Sequence, residues 1–186
     1  MNAPRIRKAA ALHGKSLVLR DAGPADAAFV LRLRTDEHKA RHLSQVSGDL
    51  ARQQTWLRDY AVQDGQAYFI IADSAGHDLG TVRLYDAIGD SFCWGSWILS
   101  DEAPGFAAIE SALMVYTFAI HELGFRQAHF QVQKSNERVR QFHLRFGAQC
   151  VAEDATRHHF TLSNDAIETA LLKYRRFLPD GIRVKE

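Results

Sequence analysis

The stretch that most constrains this chain is residues 106–123, apolar around most of its circumference and followed by Gly124. A surface helix shows one apolar stripe, whereas a helix apolar nearly all round must be covered on more than one side. Gly124 stands where a helix C′ residue takes the left-handed conformation, and the turn Asp101-Glu102-Ala103-Pro104-Gly105 precedes the segment. Wrapping such a helix needs layers of structure around it, which the rest of the chain has to supply.

The flanks supply a sheet. Tyr68-Phe69-Ile70-Ile71, residues 81–85 and residues 92–99 are short β-prone runs separated by the turn signals Asp73-Ser74-Ala75-Gly76 and Gly89-Asp90, which predicts an antiparallel meander. Upstream, Leu17-Val18-Leu19-Arg20 reads as a strand, and Pro24 suits the first position of a helix. That helix carries Phe29, Val30 and Leu33 as its apolar stripe, with Arg32, Arg34, Asp36 and Glu37 facing outward. Asp49 caps a second helix, with Leu50, Gln53, Leu57 and Tyr60 on one side, that stops by Gly65.

Downstream, residues 128–132 alternate as a strand, and Asn136 caps a helix running through Val139, Phe142 and Phe146 to Gly147. Strands over 150–152 and 157–162 follow. Asp165-Ala166-Ile167-Glu168 has capping-box spacing before a last helix through Ile167, Leu171 and Tyr174, halted by Pro179. The expected order is β-α-α-β-β-β-α-β-α-β-β-α, a mixed α/β layer structure with no internal repeat and no linker to divide it.

Bulk properties narrow the function classes. At 186 residues, one core is expected, and we read residues 16–186 as a single domain preceded by a mobile or loosely docked arm over 1–15. The apolar stretch in that arm, residues 9–12, is too short for a signal-peptide core, and no run approaches the roughly 20 apolar residues that span a bilayer. A formal net charge of +1 gives no field to draw the protein onto nucleic acid. Cys93 and Cys150 lack metal-knuckle or disulfide-framework spacing, which fits reduced thiols and a cytoplasmic location. His38 and His42 have a two-histidine spacing without the Glu that a metal site of that type carries, and adjacent His158 and His159 point to opposite faces of a strand, so no metal is expected.

The segment Gln133-Lys134-Ser135-Asn136 through Phe142-His143 to Gly147-Ala148, directly after a strand, resembles the closing motif of the GNAT acetyltransferases. In that superfamily a strand delivers an Asn at the start of a helix that runs through an aromatic or polar acid into Gly-Phe. This chain has His143 where many members carry Tyr, and Gly147-Ala148 in place of Gly-Phe. Asp36 and Glu37, Gln54-Thr55-Trp56 and Trp94-Gly95-Ser96-Trp97-Ile98 are also similar, so the resemblance covers residues 17–162. It implies a GNAT-type mixed, mostly antiparallel central sheet with helices on both faces, and acetyl-CoA as cosubstrate. Residues 98–124 are most similar to amino-sugar acetyltransferases of bacterial surface polysaccharides, and more distantly to those acting on ribosomal-protein N-termini.

The resemblance also assigns roles. Two strands, one ending at Leu99 and one at Gln133, part to admit pantetheine; the N–H of Ile98 or Leu99 stabilises the oxyanion, and Asn136 reaches the pantetheine amide. The family's pyrophosphate loop is degenerate here. One register places Gly105, Phe106 and Ala107 in it, and another Ala103, Phe106 and Ala108, with an exposed helix N-terminus supplying the anion site in either case. Asp101 and Glu102 must then face solvent.

His143 is the candidate acid near the sulfur, able to donate as His⁺ or through a neutral N–H from a reference pKa of about 6.5. The alternative is that it merely covers an apolar edge beside Phe142 and Phe146. For the base, Cys93 holds the position where many relatives place Glu, leaving Asp86, His42 or a water chain. Trp94 reads as core, while alternation places Trp97 and Phe92 on opposite faces of the sheet. The function expected is acetyl transfer to a small amine, that of a nucleotide-linked amino sugar. Transfer to protein N-termini or Lys, and a catalytically silent binding module, stay open beside it, as does a homodimer.

Overall fold

The computed structural model describes residues 3–39, 41–43 and 46–186; Met1 and Asn2 of the expected arm, with Ala40, Ser44 and Gln45, lie outside the described residues. The elements are β1 (Ala11–His13), β2 (Leu17–Asp21), α1 (Ala27–Thr35), α2 (Leu50–Val62), β3 (Ala67–Asp73), β4 (Asp78–Ile88), β5 (Ser91–Leu99) and α3 (Ala107–Thr117). They continue as β6 (Gln127–Gln133), α4 (Glu137–Arg145), β7 (Gln149–Glu153), β8 (Arg157–Ser163), α5 (Asn164–Lys173) and β9 (Arg183–Lys185). Among the described residues these strands form one nine-stranded sheet in the order β7-β8-β6-β5-β4-β3-β2-β1-β9. Every neighbouring pair is antiparallel except β5 and β6.

The sheet separates two cores. Phe69 and Ile71 of β3 join the larger one with α3, whereas Tyr68 and Ile70, alternating with them, join the smaller one beneath α1 and α2. β3 is therefore buried on both faces, which explains its unbroken apolar run. Asp49 caps α2 as expected, its carboxylate accepting from Ala51 N and Arg52 N at 2.9 and 3.3 Å. α3 is covered on all sides and runs into a π-helical turn over Phe118–Glu122, after which Gly124 takes φ +81°.

Three expectations are corrected. Residues 1–15 are not a mobile arm over their described part: Ile6 and Leu12 are buried, and β1 pairs with both β2 and β9. Lys8 fixes the segment by donating to carbonyls at the C-terminal end of α2, Tyr60 O at 2.6 Å and that of the C-cap residue Gln63 at 2.7 Å. The cap of α5 is Ser163, which accepts from Ala166 N at 3.3 Å, and Asp165 falls in the first turn instead.

The third correction bears on the site. Thr81 pairs with Ile98 and Arg83 with Gly95, so Ser96 and Trp97 together oppose Val82 alone. This β-bulge puts Ser96 at φ +47°, a conformation that side chains other than Gly seldom adopt. The extra residue reverses the alternation beyond it. Trp97 thus lies on the same face as Trp94, with ring centroids 5.3 Å apart, and not opposite Phe92.

Candidate active site

β5 and β6 begin as neighbours and then separate. They pair only at Ser91 with Gln127 and Phe92 with Ala128, where Asp90 O also accepts from Arg126 N at 2.9 Å. Past that point the two strands are no longer paired, and a cavity of about 100 Å³ lies between Trp94–Trp97 and Phe130–Gln133. Val139 and His143 of α4 floor this slot, and Asn136 stands at its helix end. Asn136 caps α4, its Oδ1 accepting from Val139 N at 3.4 Å.

His143 is 5% exposed. Its ring packs 4.1 Å from that of Phe130, 5.4 Å from Trp94 and 5.7 Å from Phe142. Nδ1 is enclosed with no hydrogen-bond partner among the described residues. Burial alone lowers the pKa to about 3, because the charged ring has lost its water and gained no anion. The imidazolium route is thereby closed near neutrality. What stays at the slot is a neutral ring with one N–H.

Two of the backbone donors expected on β5 separate cleanly. Ser100 N donates to Leu79 O at 2.8 Å, and N–H groups alternate direction along an antiparallel strand. Ile98 N–H therefore points into the ladder with β4 and is not available, while Leu99 N–H points toward the side that β6 has left. At the start of α3, Ala107 N is already held by Pro104 O at 2.9 Å, which leaves Ala108 and Ile109 N–H as the first open donors of the helix. Phe106 is the N-cap residue without a side-chain cap, and a side chain at Gly105 would meet open space. Asp101 and Glu102 are exposed, Asp101 taking Lys39 Nζ at 2.8 Å.

His42 lines the mouth of the slot. Arg41 Nε donates to His42 Nε2 at 2.9 Å, so its proton sits on Nδ1, which faces Gln133 Oε1 and Ser135 Oγ, each at 3.2 Å. Asp86 does not reach either cavity. It lies near the hairpin end of β4, 3.5 Å from His129 Nε2, beside Ser91 where β5 and β6 are still joined. Cys93 is buried, and desolvation pushes its thiol up to about 11, which leaves it a poor base.

A second cavity, of about 290 Å³, lies on the α1–α2 face, and Ser96 borders both. Arg34, Arg52, Trp56, Tyr68 and Arg83 line it. Arg34 was expected to face outward; instead its Nη1 donates to Ser96 Oγ at 3.3 Å. Nothing in the helical spacing of α1 distinguished it from Arg32. Among the described residues, no three His, Cys, Asp or Glu side chains cluster to hold a metal ion, and no helix is long and apolar enough to cross a membrane.

A split parallel pair, a bulge beside it and an Asn-capped helix below it make the frame of an acyltransferase that uses acyl-CoA. Residues 16–149 match the acetyltransferase (GNAT) domain family, and the chain belongs to that family. Among solved structures it is similar to apo FdhC, described as a nucleotide-linked sugar GNAT, at 37% identity over 90% of this chain and 98% of that one, with a TM-score of 0.80. A probable GNAT acetyltransferase from Chromobacterium violaceum shares the fold at 19% identity over 90% and 93% of the two chains, with a TM-score of 0.76. Spermidine N-acetyltransferase from Vibrio cholerae, in complex with CoA and spermine, shares it at 13% identity over 82% and 98%, with a TM-score of 0.72. No curated protein sequence matches the chain.

Proposed function

We propose that the protein transfers the acetyl group of acetyl-CoA to the amino group of a nucleotide-linked amino sugar. The observation that carries this reading is the meeting of two cavities at Ser96: a strand-shaped slot between β5 and β6 on one side, and a wider cavity on the other. The slot suits an extended pantetheine arm, whose amides take up the backbone groups that β5 and β6 no longer share. The open N–H groups at the start of α3 suit the pyrophosphate. The likeness to FdhC, described as a nucleotide-linked sugar GNAT, supports the acceptor.

The chain's residues divide the chemistry as follows. The acceptor amine attacks the thioester carbon; a C–N bond forms, and the carbonyl oxygen becomes an oxyanion facing Leu99 N–H, a donor of the kind worth about 3–4 kcal/mol. The C–S bond then breaks, releasing a thiolate whose conjugate acid titrates near the cysteine value of about 8.5. Full protonation is unnecessary for such a leaving group. His143 assists as a neutral hydrogen-bond donor to the sulfur, and the amine's proton leaves through water.

Thiol release from acetyl-CoA, measured with UDP- and TDP-linked amino sugars and with short peptides, tests the reading. The sugars are expected to turn over and the peptides not. His143→Ala should lower kcat more than tenfold while the KM for acetyl-CoA stays within twofold. A loss under threefold removes His143 from the mechanism, and absence of calorimetric binding of acetyl-CoA removes the mechanism itself.

A further inference from the structure

The cavity on the α1–α2 face holds three guanidinium groups, Arg34, Arg52 and Arg83, and among the described residues no carboxylate lines it. Another partly buried arginine of the same sheet shows what an internal partner looks like. Arg20 is gripped by Asp26 at 2.8 Å and by Asp78 at 2.9 Å. Arg83 has no such carboxylate among the described residues. Its Nη2 donates to Gln66 Oε1, its Nε is enclosed without a partner, and its guanidinium lies over the rings of Tyr85 and Trp56, 4.9 and 5.2 Å from their centroids. Desolvation, aided by the charge on Arg34, pulls its pKa down from the usual arginine value.

A half-enclosed guanidinium without a carboxylate, as at Arg83, is costly until an anion joins it, and a guanidinium suits phosphate oxygens. We propose that the Arg34–Arg83 wall seats the diphosphate of the acceptor, so that the enzyme selects its amine by two negative charges carried elsewhere on the same molecule. This rests on the transferase reading and supplies its specificity. Arg34 bonds Ser96, the residue common to both cavities, so a diphosphate held at Arg83 leaves the attached sugar to extend toward the thioester. The same charges repel polyamines and lysine side chains, so this cavity rejects acceptors of the spermidine type. A volume of about 290 Å³ is at the lower end of small-ligand sites, which run from roughly 300 Å³ upward.

Calorimetry on the full chain decides the matter, titrating UDP, inorganic pyrophosphate and spermidine with and without saturating CoA. UDP and pyrophosphate are expected to bind in both conditions, and spermidine in neither. Arg83→Gln should weaken UDP at least tenfold and raise the KM of the amino sugar in proportion, with the KM of acetyl-CoA unchanged as the sign of an intact fold. Should that variant not fold, Arg52→Gln at the exposed rim is expected to weaken UDP two- to fivefold. UDP binding that neither substitution alters, or that CoA abolishes because the anion occupies the cosubstrate's own phosphate site, overturns the proposal, as does spermidine binding. Arg83-dependent UDP binding without any acetyl transfer upholds the anion seat and rejects the transferase reading instead.

Discussion

The slot and the arginine cavity share Ser96 and one strand, yet they treat charge in opposite ways. In the slot, His143 is stripped of its charge by Phe130, Trp94 and Phe142. In the cavity, Arg83 stands beside Arg34, and desolvation together with that neighbouring charge lowers its pKa. The difference follows from the ligands proposed for each side. Charge appears only in passing on a thioester, whereas a diphosphate is a permanent anion that repays fixed cations. The bulge at Ser96 joins the two sides, because it swings Trp97 back to the Trp94 side and Ser96 borders both cavities.

The largest expected effect separates the two walls through the same residue type. Trp94 is 4% exposed, touches the rings of Trp97, Tyr116 and His143, and donates from Nε1 to Tyr116 Oη at 3.2 Å. Trp94→Ala should cost about 3–5 kcal/mol in urea unfolding. Trp56, 37% exposed on the cavity rim, should cost only about 1 kcal/mol when changed to Ala. Equal losses would mean that the cavity wall is as much core as the slot, and the comparison fails.

The next effect belongs to the slot alone. His143 has a folded pKa of about 3 against about 6.5 in the unfolded chain. The unfolded state therefore binds more protons between those values, and stability is lost as pH falls through that window. At pH 5 the loss attributable to this ring is about 2 kcal/mol relative to pH 7.5, from roughly 1.36 kcal/mol per unit. His143→Phe should remove that part of the acid dependence in unfolding measured from pH 7.5 to 4.5. An unchanged slope would show that the ring is solvated, and the slot no drier than the cavity.

How much of this was legible from residues alone depends on how local each signal is. The twelve expected elements appear in order because each carries its own cap, turn or period; Asn136, Gly147 and the meander turns are examples. β1 and β9 were not legible, since three residues each leave no room for a period, and they are defined by long-range pairing, β9 on β1 and β1 on β2. Asn136 and His143, which border the slot, were marked by the closing motif. Arg83 was not, because in sequence it is indistinguishable from any polar residue alternating along a strand. The bulge at Ser96 was equally hidden, and with it the side on which Trp97 falls. Long-range geometry gave both residues their meaning.

The smallest effect asks whether Asn136 belongs to the fold or to the slot, since it stands at the boundary of both. Its Oδ1 caps α4, and replacing a cap of this kind by Ala costs about 1 kcal/mol. Asn136→Ala therefore loses stability whatever else the side chain does. Asn136→Asp distinguishes the roles. A carboxylate caps as well as an amide and suits the positive helix end, so stability should be kept or slightly raised. It lacks the Nδ2 donors, however, so a pantetheine carbonyl held by that amide would lose its bond, and the KM for acetyl-CoA should rise about two- to thirteenfold for a hydrogen bond of about 0.5–1.5 kcal/mol. If the KM does not move while Asn136→Ala still destabilises, Asn136 acts on the helix alone, and recognition in the slot falls to the backbone of β5 and β6.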